Sequence, residues 1–191
     1  HDWLLSVGQN GCFYSSANSS LLAPGEADLA AIREAIDLTG DGGLFGGSSR
    51  ERLQRALSTC ETLARRHDCV VANPPYMGSS SFGPFMSRWV KRNYPDVKSD
   101  LCTCFIERGF SLARDRGYAA MVTMQSWMFL GSFEKMRSSL IDAKAIVSMA
   151  HLGPRAFDAI GGEVVNVTAD VVYNGRAACE GAYVRLVDIN G

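Results

Sequence analysis

The chain has 191 residues, 47% of them hydrophobic and 20% charged, a balance that fits a folded protein with a sizeable core and excludes an intrinsically disordered one. With 19 basic side chains against 20 acidic ones the net charge is −1, so no global field advertises a polyanionic partner and any nucleic-acid contact has to be local. The six cysteines form no CxxC pair, the three histidines add no metal-ligand spacing, and no apolar run approaches the ~20 residues needed to cross a bilayer. Reduced thiols and a soluble, cytoplasmic protein without metal or membrane are therefore expected.

Residues 1–25 mix Gly, Ser and Asn with isolated aromatics and carry no period. GEADLAAIREAI (25–36) predicts a helix: Leu29, Ile32 and Ile36 fall at helical spacing, and Glu26 and Asp28 sit in the first turn, where the macrodipole favours acids. The glycine-dense TGDGGLFGGSS (39–49) ends it. A second helix over about 48–66 carries Leu53, Ala56, Leu57, Cys60 and Leu63 on one face. CVVA (69–72) predicts a buried strand, and Asn73-Pro74-Pro75-Tyr76 follows at its carboxyl end. Residues 77–98 read as a loop or short helix with local basic character, Arg88, Lys91, Arg92 and Lys98 standing against Asp96 alone.

Ser99 is the candidate N-cap of a helix over 100–116 with an apolar stripe of Leu101, Cys104, Phe105 and Leu112, and Gly117 is placed to cap its end. YAAMVTM (118–124) predicts a second buried strand. Ser132 is the candidate cap of a helix over 133–143, which leads into the strand-like AIVSMAHL (145–152). EVVNVTADVVY (163–173) and GAYVRLVDI (181–189) read as a closing antiparallel pair turned by Asn174-Gly175. Strands alternating with helices, then this pair, predict an α/β fold: a mostly parallel sheet with helices on both faces. In such sheets ligands bind beyond the carboxyl ends of the strands, where Asn73 to Tyr76 fall.

The tetrapeptide suits one chemistry. An amino group on a heteroaromatic ring, or a carboxamide nitrogen, is a poor nucleophile because its lone pair is delocalised. The Asn73 side-chain oxygen and the Pro74 backbone carbonyl can accept its two N–H bonds and favour a tetrahedral nitrogen that presents the lone pair to a methyl donor. Prolines hold φ near −65°, so the carbonyl is fixed before substrate arrives. Tyr76 offers a face on which a flipped base can stack, a contact worth ~1–3 kcal/mol per base. The plainer alternative is a proline turn with Tyr76 covering the core. No Pro-Cys dipeptide occurs, so the covalent route of C5-cytosine methylation is not indicated.

DCVVANPPYMG, followed in order by YPDVKSDL, FIERGFSLARDRGYAAMVTMQSWMFLGSFEKMRSSL and HLGPRAFDAIGGEVVNVTADVVY, resembles the amino-methyltransferases of restriction-modification type. Within these it is most similar to the PglX family, large adenine-specific DNA methyltransferases of BREX phage-defence systems. The resemblance covers about residues 62–190. It implies a partial Rossmann-like methyltransferase fold and a cytoplasmic enzyme using S-adenosyl-L-methionine to methylate N6 of an adenine flipped out of double-stranded DNA, alongside other phage-defence subunits. By motif, Asn73, Pro74 and Tyr76 hold and stack the base, with Pro75 beside them, and Phe157 in LGPRAF is similar to the second stacking aromatic, with a core role as its alternative. Trp127 and Phe129 in QSWMFL follow a strand end near the same pocket, where packing is favoured over substrate contact, and Lys98, Ser99 and Asp100 match a family segment without a derived role, Asp100 serving as a support for the helix start.

On the same resemblance the methyl donor would meet Asn73, and Phe45 in GGLFGG near its adenine. DLTGDGG (37–43) is not the donor's glycine turn: helix precedes it, and Gly40 to Asn73 leaves room for one helix where a βαβ unit alone takes ~30 residues. The expected organisation is a helical and irregular lead-in over 1–67 and the target-amine half of a catalytic domain over 68–191. Both ends look cut, so the glycine turn and the DNA-reading domain are expected outside this sequence, and these residues alone are expected to be inactive. Two other readings remain. One is methylation of a protein glutamine amide or an RNA base, which also uses NPP followed by an aromatic; the other is a non-catalytic DNA-binding or assembly subunit.

Overall fold

The computed structural model describes residues 26–38, 46–154, 156, 165–178 and 180–187, and the chain divides between Arg65 and Arg66 into two compact units. The first contains helices α1 (Glu26–Leu38) and α2 (Gly46–Ala64). Leu29 and Ile36, two turns apart on α1, are buried, as is Cys60 on α2. The Arg33 guanidinium ties the pair together by donating from Nε to Glu61 Oε1 at 2.8 Å.

The second unit is built on five strands, β1 (His67–Ala72), β2 (Ala113–Met124), β3 (Ala145–Gly153), β4 (Val167–Tyr173) and β5 (Ala182–Arg185), in the order β1-β2-β4-β3-β5. β1 pairs parallel to β2 and β3 parallel to β5, whereas β4 runs antiparallel to both β2 and β3. Four strands thus point one way and β4 alone opposes them, the mixed sheet of a partial Rossmann-like fold.

The expected hairpin between the last two strands does not form. β4 inserts between β2 and β3, and β5 lies outside β3, with Ser148 opposite Ala182 and His151 opposite Arg185. Burial explains the choice: β4 buries Val167, Thr168, Asp170 and Val172, while all four residues of β5 are exposed and suit an edge. Asn174 is also committed elsewhere. Its N–H donates to Gly117 O at 2.8 Å, and its Nδ2 donates to the carbonyls of Phe110, Ala113 and Arg114 at 3.2, 3.0 and 3.0 Å. The side chain therefore closes the helix end that Gly117 was expected to cap.

Three helices follow the strands: α3 (Pro84–Asn93), α4 (Leu101–Leu112) and α5 (Glu134–Ala143). Gly109 of α4 rests on β2 so closely that a Cβ there would overlap the end of Met121. Met136 and Leu140 of α5 join the same core with Met121, Met149, Trp127 and Ile106. Both helices therefore cover the face that carries Met121. On the opposite face Tyr118 is 41% and Val71 79% exposed. CVVA is therefore not a buried strand: β1 is an edge, paired on one side, with Cys69 and Val71 facing away from α4.

The helix ends also differ from expectation. Asp100, not Ser99, caps α4, its carboxylate accepting Cys102 N–H at 2.9 Å. Ser132 falls in a 3₁₀ turn, Gly131–Phe133, and α5 begins after Phe133 with no side-chain cap. α4 ends at Leu112 because β2 starts at Ala113, and Gly117 lies inside the strand where a Cβ would come within 2.8 Å of Asp68 O. No helix among the described residues is long and apolar enough to cross a membrane.

Candidate active site

The strand β1 stops at Ala72 because Pro74 and Pro75 cannot donate to a ladder. Asn73 and Pro75 are exposed, Pro74 is buried and Tyr76 is half-buried. The Tyr76 hydroxyl reaches across to β2 and donates to Val122 O at 3.1 Å; it also lies 3.5 Å from Asn73 Oδ1. Burial, reinforced by the neighbouring Cys102, pushes the Tyr76 phenol up to about 12, so the ring is neutral at physiological pH and its hydroxyl remains a donor. The sequence places a carboxamide and a phenol three positions apart, and the fold brings them to the carboxyl ends of two parallel strands.

The chain beyond Tyr76 is clasped. Ser79 N–H donates to Ser99 O and Leu101 N–H to Met77 O, both at 2.9 Å, with Gly78 and Asp100 paired in an antiparallel bridge between them. Residues 79–99 are thus an excursion whose two ends meet just after the tetrapeptide. Lys98-Ser99-Asp100 forms one arm of this clasp. Asp100 is itself buried, and its carboxylate caps α4 from the same spot. The signal was present in the Asp-to-helix spacing, but the backbone pairing with Gly78 has no side-chain signature.

Trp127, a candidate for substrate contact, is a core residue: 4% exposed, its indole N–H donating to Thr123 Oγ1 at 3.0 Å and its carbonyl accepting from Arg137 Nη1 at 2.8 Å. No face of its ring is free to stack on a base. Phe129, two positions on, is 66% exposed. Phe157 and Phe45 lie outside the described residues. Cys102 and Cys104, the close pair, are buried free thiols that burial pushes up, Cys104 to about 12, which makes poor nucleophiles of both. Among the described residues no group of three or more His, Cys, Asp or Glu is placed to hold a metal ion.

The model of the Eco57I restriction-modification methylase family matches residues 34–157, which include β1, the tetrapeptide, the clasp and β2. The chain belongs to the Eco57I restriction-modification methylase family. Adenine-specific methyltransferase BrxX of Escherichia coli O9:H4 (strain HS) is 40% identical over 176 residues, 90% of this chain and 15% of BrxX. Adenine-specific methyltransferase PglX of Lacticaseibacillus casei (strain Zhang) is 41% identical over 139 residues, 72% of this chain and 12% of PglX. This Eco57I-type chain therefore spans no more than 15% of the length of these relatives. In fold it is similar to the Type IIL restriction-modification enzyme MmeI, solved in complex with DNA, with a TM-score of 0.53 at 17% identity over 64% of this chain and 17% of MmeI.

Proposed function

We infer that the chain is the target-amine part of a DNA methyltransferase that transfers a methyl group from S-adenosyl-L-methionine to N6 of an adenine flipped out of double-stranded DNA. The observation that carries this reading is the placement of Asn73 and Tyr76 side by side at the carboxyl ends of β1 and β2, on a rigid di-proline turn. The adenine-specific activity named for BrxX and PglX supports the choice of base. A cytoplasmic setting, with reduced thiols and other defence subunits of a BREX or restriction-modification system as partners, belongs to the same reading.

Asn73, exposed and neutral, accepts one N–H of the adenine amine through its side-chain oxygen. The Pro74 carbonyl, on a buried residue with fixed φ, accepts the other. Together they hold the nitrogen near tetrahedral geometry and gather its lone pair, an effect largest in the transition state. Tyr76 stacks on the base while Val122 O anchors its hydroxyl. The donor, when bound, supplies an electrophilic methyl group on sulfur. Of the residues assigned to it, Asn73 is the one described. Its exposed, uncharged carboxamide at the open edge strand fits a contact with the donor, whose remaining contacts fall to other residues.

The test uses the full-length protein with a labelled methyl donor and, separately, duplex DNA, RNA and a glutamine-bearing protein substrate. Label is expected at adenine N6 of the DNA alone, and Asn73→Ala is expected to abolish transfer with DNA affinity changed less than about threefold. Label on RNA or on a glutamine amide would replace this reading with one of the other two amine chemistries. DNA binding without any transfer would favour the non-catalytic subunit.

A further inference from the structure

From residue 66 onward most of the described cations are spent on partners. Arg114 pairs with Asp68, Lys135 with Asp96 at 3.3 Å, and Arg116 with the Tyr173 hydroxyl at 3.3 Å. Arg137 and Arg176 satisfy backbone carbonyls, and Lys144 lies over the Phe110 ring at 5.4 Å. Among the described residues of this unit, the lysines and arginines whose side chains have no hydrogen bond, ion pair or ring contact are Arg88, Lys91, Arg92 and Lys98.

All four sit on the excursion clasped between Gly78 and Asp100. Arg88, Lys91 and Arg92 are spaced three and four residues apart, so they share one exposed face of α3. Phe85, partly exposed, lies one turn ahead of Arg88. The other face holds Val90, Met86 and Trp89 against the core. α3 contains no acidic residue, and Asp96, the one acid of the excursion, is already engaged by Lys135.

A helix face that serves only to be solvated normally mixes signs, because like charges three or four positions apart repel. The macrodipole accounts for Lys91 and Arg92, which fall in the last turn, but neither for Arg88 nor for Lys98. What remains is a cationic surface with no counter-charge among the described residues, hung from the chain two residues beyond Tyr76. Resting on the function inferred above, we propose that this face of α3, with Lys98, docks on the phosphate backbone of duplex DNA beside the extrahelical base. Duplex DNA presents one negative charge per ~1.7 Å of axis, the complement this surface lacks. Contacts of this kind set register on the duplex without reading sequence.

The experiment measures affinity of the full-length protein for duplex DNA across a salt series. Arg88→Gln/Lys91→Gln/Arg92→Gln is expected to flatten the slope of log affinity against log salt by about 2–3, equally on specific and unrelated duplexes. Arg88→Lys/Arg92→Lys keeps the charge and is expected to keep the slope, which separates lost phosphate contact from lost folding. An unchanged slope in the glutamine variant overturns the docking, as does a slope lost in both variants. Wild-type methyl transfer to DNA is scored in parallel: its absence overturns the inferred function, whereas transfer with an unchanged slope overturns the docking alone.

Discussion

Tyr76 has a ring, proposed above to stack on the base, and a hydroxyl that is occupied elsewhere, and the two can be separated by substitution. The hydroxyl donates to Val122 O and, with the phenol pushed up to about 12, does not ionise at working pH. Tyr76→Phe keeps the ring and forfeits one hydrogen bond, worth about 0.5–1.5 kcal/mol of local order. Tyr76→Ala removes the stacking surface and is expected to weaken capture of a flipped base by ~1–3 kcal/mol, roughly five- to 150-fold. A 2-aminopurine reporter at the target base measures this directly; equal flipping by the alanine variant and wild type would remove Tyr76 from the role. Asn73, Pro74, Pro75 and Tyr76 were legible as a group because their chemistry is local and proline fixes its geometry. Trp127 was legible only as a choice in which packing led over substrate contact, and its bond to Thr123 inside the core decides for packing.

At the level of elements, the end of β4 shows what periodicity and turn signals leave open. Asn174-Gly175 looks like a hairpin turn, yet the Asn174 amide spans the α4–β2 corner and serves carbonyls of Phe110, Ala113 and Arg114. Helices end with unpaired carbonyls, and a buried carboxamide that meets them is worth more than a turn residue. Asn174→Ala is therefore expected to cost about 1–3 kcal/mol, read as a lower denaturant midpoint at unchanged slope. A loss below ~0.5 kcal/mol, the range of ordinary surface substitutions, would mean that these bonds do not hold the corner. The helices were legible from their apolar spacing and differ from expectation chiefly at their ends. There Asp100 outcompetes Ser99 because its carboxylate already meets Cys102 N–H.

On the scale of the whole molecule, the antiparallel strand between β2 and β3 puts one acid where solvent does not reach. Asp170 is 6% exposed, opposite Met121 and Met149, and one of its oxygens has no partner. Desolvation raises its carboxyl to about 7, above the ordinary ~4. The native state therefore favours the protonated form, so stability is highest below the unfolded value, falls as pH rises from ~4 to ~7 and is flat beyond. Asp170→Asn is expected to abolish this fall, its advantage over wild type growing by up to about 4 kcal/mol between pH 4 and 8. Unfolding curves at the two pH values check it; parallel behaviour of variant and wild type would show that the carboxyl is not desolvated. By itself the sequence determined the alternation of helices and strands, the Asn-Pro-Pro-Tyr tetrapeptide at a strand's carboxyl end and the excess of cations over 77–98, because each depends on residues near one another in the chain. The tertiary structure alone decided that β4 enters the sheet between β2 and β3, that the chain beyond Tyr76 is clasped by Ser99 and Asp100, and that, among the described residues from 66 onward, four cations are left without partners. Strand order, long-range backbone pairing and the pairing of charges are settled by contacts between distant segments, and local pattern carries no record of those.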